Sequence, residues 1–139
     1  MGKRRRAREM VLQALYESEF APDRAALDVV GEQIDRRGPS EEGAERARDL
    51  FLKTVEKRDE LDTIIRQYLE NWDFERLSLI DRNILRFALA EVLYFPDVPS
   101  GVIIDEAIEI AHRYSSEEAG RLVNGLVDRA VKQFRGGTA

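Results

Sequence analysis

The residues best equipped for chemistry in this chain are cations. Lys3, Arg4, Arg5, Arg6 and Arg8 crowd one end, and the planar fork of arginine can hold phosphate bidentately and stack on exposed bases. In a helix begun here, at about 100° per residue, Arg5 and Arg6 lie off the apolar side and Arg8 flanks it. Cations in a first turn oppose the helix dipole at roughly 0.3–1 kcal/mol each. A sequence tuned for helix stability alone would carry acids there. The net charge of −5 hides a segregation. Residues 1–16 carry +4, residues 17–62 carry −6 and residues 63–139 carry −3. Such a chain can offer a basic end to a polyanion while the rest of its surface stays acidic.

The other reactive side chains argue for binding rather than catalysis. There is no cysteine, which excludes disulfides, zinc–thiolate sites and thiol nucleophiles. His112 is the single histidine, too few for an imidazole metal site. Asp105, Glu106 and Glu109 form an acidic cluster; as a hydrolytic pair they would need a specific motif, whereas acids early in a helix simply complement its dipole. Serine-nucleophile motifs, phosphate-cradling glycine loops and dinucleotide fingerprints are missing, and no cofactor is implied. Asn124-Gly125 is a turn-type pair inside a helical pattern. Mid-helix glycine costs about 1 kcal/mol relative to alanine, so close helix packing is the expectation for Gly125 and an exposed hydrogen-bonding role for Asn124. Tyr16 and Trp72 read as core or edge aromatics able to anchor an interface.

Helices must position all of these. Ala7, Met10, Val11, Ala14 and Leu15 share one side at helical spacing, and Phe20-Ala21-Pro22 ends that helix. A second, over about 24–36, turns Leu27, Val30 and Ile34 inward, and Arg37-Gly38-Pro39-Ser40 is the clearest break, with Ser40 an N-cap. A third carries Ala44, Ala47, Leu50, Phe51, Thr54 and Val55, and a fourth runs from Asp59 to about Asn71-Trp72. Ser78 with Asp81 opens a fifth, Ser100 caps a sixth, and Ser115 with Glu118 opens a seventh that ends near Phe134. The prediction is an all-α fold of about seven short-connected helices forming one domain over 1–139, with a subdivision near 56–60, at the Glu56–Asp59 join, or else at the Arg37–Ser40 break. No apolar run suits a membrane span or a secretory signal, so a cytoplasmic protein is expected.

Arg4-Arg5-Arg6-Ala7-Arg8-Glu9, Gln13-Ala14-Leu15-Tyr16, Ile80-Asp81-Arg82, Ile84-Leu85-Arg86, Asp97-Val98-Pro99, Glu106-Ala107-Ile108-Glu109 and Val123-Asn124-Gly125 recur in an order and spacing that resembles the NusB family of transcription antitermination factors. The resemblance spans nearly the whole chain. It implies two three-helix bundles with an additional helix, and binding of boxA-type single-stranded RNA in ribosomal RNA leaders. It implies partnership with NusE, a small-subunit ribosomal protein expected to be basic, and through other Nus factors an indirect action on RNA polymerase. Family bundles occur as monomers or homodimers. Carried over by position, Lys3, Arg4, Arg5, Arg6, Arg8, Arg86, Arg121, Leu122 and Asn124 face RNA, while Tyr16, Asp81 and Glu118 face NusE. Leu122 stands where the family usually has phenylalanine, His112 where lysine is common and Asp105 where asparagine is common. NusB-like bundles also serve as accessory domains on RNA methyltransferases, so a protein-interaction module without an RNA role is the competing expectation.

Overall fold

The structure, a computed structural model, describes residues 3–69 and 73–136, of Lys3 the backbone only. The described residues form seven α-helices and one short 3-10 turn, in two compact units, residues 1–56 and 57–139. Helix α1 spans Lys3–Phe20, α2 Ala26–Arg37 and α3 Glu41–Glu56 in the first unit. The second holds α4 Arg58–Tyr68, the 3-10 turn Phe74–Arg76, α5 Leu79–Tyr94, α6 Ser100–Tyr114 and α7 Glu117–Phe134.

In the first unit each helix packs on the other two. The buried set is Met10, Val11 and Ala14 from α1, Val29 and Val30 from α2, and Ala47, Leu50 and Phe51 from α3. Leu27, expected inside, is 58% exposed; helix α2 starts only at Ala26 and turns Val29, Val30 and Gln33 inward instead. Val55 is also exposed. Gly38 closes α2 with φ 55°, its N–H donating to the Ile34 carbonyl, a left-handed cap that glycine adopts without a Cβ penalty. The Ser40 hydroxyl accepts from the Gly43 N–H at 3.0 Å and so caps α3, as its sequence position predicts.

Helix α5 is the axis of the second unit. It is buried continuously from Asn83 to Val92, and α4, α6 and α7 all pack on it. Its start is capped by Ser78, whose hydroxyl accepts from the Asp81 N–H at 3.0 Å. Its end is held by Arg135, just past α7. That guanidinium donates to the carbonyls of Glu91, Val92, Phe95 and Val98 and to Ser100 Oγ, at 2.7–3.1 Å. Two caps differ from expectation. Pro99 precedes α6 without a side-chain cap, and Ser100 lies inside the helix. Ser116, not Ser115, caps α7, accepting from the Ala119 N–H at 3.0 Å. Phe134, the last residue of α7, is 40% exposed. The expected end of the fourth helix at Asn71-Trp72, and Trp72 as an anchor, lie outside the described residues.

Candidate nucleic-acid interface

In the first unit the basic run occupies the opening of α1, whose first turn holds no acid. Arg4 and Arg6 are exposed, Arg5 is half-buried, and the Lys3 side chain lies outside the described residues. Arg8 differs from expectation: it is 2% exposed, because it falls one turn on, among the buried positions Ala7, Met10 and Val11. Two turns further along α1, Tyr16 is 39% exposed and packs against Phe20 in a tilted pair, the ring centroids 5.1 Å apart. Phe20 is 69% exposed, an aromatic that periodicity marks only as a helix end. Beside them Glu17 accepts from Gln33 at 2.9 Å and Arg36 at 3.2 Å, tying α1 to α2. The Gln33 hydrogen bond, with the charges of Arg36 and Arg24, holds the Glu17 carboxyl below the usual carboxylate range despite its desolvation.

In the second unit the starts of α5 and α7 border a groove of about 310 Å³ lined by Leu77, Asp81, Ser116, Glu118, Ala119, Arg121 and Leu122. Asp81 and Glu118 thus share a wall system with Arg121 and Leu122. The floor is partly apolar, through Leu77, Ala119 and Leu122. Asp81 Oδ1 is buried without a hydrogen-bond partner among the described residues. Asn124 and Gly125 are exposed farther along α7. Gly125 does not mediate close packing: a Cβ there would meet nothing within 4 Å.

Arg86 is the clearest correction. It is 2% exposed, with Nε donating to Asp62 Oδ1 at 2.7 Å and Nη2 to Asp62 Oδ2 at 3.0 Å. Its Nη1 donates to Asn83 Oδ1 at 2.8 Å. The fork is fully engaged between α4 and α5, which removes it from the RNA-facing set. Phe74 lies under it and also carries Arg66, whose guanidinium sits 4.3 Å from the ring centroid. His112 sits on the surface of α6 with its ring where a Cβ of residue 120 would be, which explains Gly120. No group of histidines and acids among the described residues could hold a metal ion. Sequence reasoning missed Leu77 and Ser116 as groove residues, because both lie in connectors where periodicity is silent.

A profile of the NusB family matches residues 5–132. The chain belongs to the NusB family. The transcription antitermination protein NusB of Thermodesulfovibrio yellowstonii is 39% identical, the match covering 94% of this chain and 93% of that one. The NusB of Myxococcus xanthus is 40% identical over 94% and 96%. The solved structure of T. maritima NusB superposes with a TM-score of 0.86 at 42% identity, covering 94% of this chain and 91% of that chain. A NusB solved with NusE and double-stranded RNA has a TM-score of 0.85 at 24% identity, over 95% and 98%, which speaks to the fold. No helix among the described residues is long and apolar enough to cross a membrane.

Proposed function

We propose that this protein is an RNA-binding adaptor of transcription antitermination, acting in the cytoplasm. It engages boxA-type RNA of ribosomal RNA leaders together with NusE and helps RNA polymerase resist termination, through binding alone. The observation that carries this reading is the groove at the starts of α5 and α7. Two acids assigned by resemblance to the partner, Asp81 and Glu118, line it with two residues assigned to RNA, Arg121 and Leu122.

The chemistry supports that division of labour. Carboxylates repel phosphate, so the Asp81 and Glu118 wall suits a basic protein. Tyr16, with its exposed ring, supplies a second partner contact. Arg4 and Arg6 supply sequence-independent attraction to the RNA backbone, with Lys3 and Arg5 beside them in the chain. Arg121 and Asn124, exposed on α7, supply donors to phosphate or base edges.

The test is a titration of boxA-type and scrambled single-stranded RNA, with and without NusE. The expected result is preference for boxA RNA, binding at least tenfold tighter when NusE is present, and D81K abolishing that gain while sparing weak RNA binding. Equal affinity for both RNAs under both conditions would refute the proposal.

A further inference from the structure

Gly125 has no structural reason to be glycine. It lies in the middle of α7, where glycine is among the poorest helix formers. Its φ is not positive, and open space surrounds the position of its absent Cβ. What it leaves is a stretch of bare helical backbone facing solvent. At about 100° per residue, Arg121, Arg129 and Lys132 fall within roughly 40° of Gly125 on the same face. Residues 121–132 hold these three cations and one acid, Asp128, for a local charge of +2 in a chain of −5. Arg121 and Arg129 are eight residues apart, about 12 Å along the axis, comparable to two phosphates of an extended strand.

The neighbours hold this face in shape. The Arg129 guanidinium lies 4.7 Å from the centroid of the Tyr68 ring, whose hydroxyl bonds Gln133. Lys132 pairs with Asp128 at 3.1 Å, both side chains about half-exposed or more, an exposed pair that a phosphate can displace. Glu118 lies on the same face one turn before Arg121 and closes its acidic end.

We propose that the open face of α7 centred on Gly125 seats the sugar–phosphate backbone of single-stranded RNA, with Arg121, Arg129 and Lys132 as its phosphate contacts. The inference rests on the RNA-binding reading above and extends the RNA path toward the end of α7. Missing Cβ atoms let another backbone approach a helix closely, and the flanking cations select a polyanion. Single-stranded RNA is favoured over an acidic peptide because Arg121 and Asn124 already carry the RNA assignment and adjoin Gly125.

G125A, the bulkier G125L and the double variant R129A/K132A would be titrated with boxA-type RNA at several salt concentrations, with thermal midpoints in parallel. G125A is expected to raise the midpoint by a few degrees while weakening RNA binding severalfold, and G125L to weaken it further. The double variant is expected to flatten the slope of log K against log salt by about 1.4, at roughly 0.7 for each phosphate no longer neutralised. A raised midpoint with unchanged affinity in G125A and G125L overturns the seat. An unchanged salt slope overturns the role of Arg129 and Lys132. Tighter binding of polyglutamate than of RNA, abolished in the same variants, would assign the face to acidic peptides and overturn the RNA. Failure of the unmodified chain to bind RNA, with or without NusE, would overturn the RNA reading itself and the seat with it.

Discussion

Arg86 and Arg4 carry the same group into opposite surroundings. Arg86 is enclosed with Asp62 and Asn83, so its removal leaves a carboxylate buried at 8% exposure. Breaking such a pair costs about 3–5 kcal/mol. Arg58, 3.9 Å from the same carboxylate, softens the loss, so R86A should fall near the lower end, about 3 kcal/mol in urea denaturation. R4A, at an exposed position, should change stability by less than about 0.5 kcal/mol and flatten the RNA salt slope by about 0.7. Spacing could not separate these two arginines. A cation on a half-apolar helix reads as surface until its counter-charge is known, and Asp62 stands 24 residues earlier on another helix. Gly125 defeats the sequence reading for the converse reason: the sequence shows that a side chain is missing, but not whether anything fills its place.

At the scale of elements the seven helices were legible, because the 3.6-residue pattern is strong and Pro22, Gly38, Pro96 and Pro99 punctuate it. Helix ends were less so. Ser115 and Ser116 are equally good caps by type, and only backbone geometry chooses between them. S116A should therefore cost about 1 kcal/mol and S115A almost nothing, as read from thermal or urea midpoints. The end of α5 was illegible for another reason: its cap comes from a side chain 40 residues away in sequence, Arg135 to the Phe95 carbonyl. Charged hydrogen bonds contribute about 1.5–3 kcal/mol. R135A should lose about that much, and R135K should restore little, since one ammonium cannot span five acceptors.

For the whole molecule, charge sets the behaviour in solution. A net charge of −5 opposes association with nucleic acid except at the basic run and the α7 face, so RNA affinity should fall steeply with salt. Acid should loosen the first unit through Glu17. Its folded pKa is depressed below the ordinary glutamate value of 4.5, so its contribution is fully present above that value and is lost as pH falls through the lower, folded pKa. E17Q should remove that part of the acid dependence, measured as thermal midpoint between about pH 6 and pH 3. The chain passes from the first unit to the second at Glu56–Lys57, where a single residue, Lys57, separates α3 from α4. The grouping of Asp81 and Glu118 with Arg121 and Leu122 became visible only with the two helix starts side by side.

The Arg135 clamp also imposes an order in time. The carbonyls of Glu91, Val92 and Phe95 leave the ribosome about 40 residues before the guanidinium that receives them. At roughly 5–20 residues per second, that is a wait of about 2–8 s. Until Arg135 is made, the end of α5 lacks its clamp, so the second unit is locked only once the residue just past α7 has emerged.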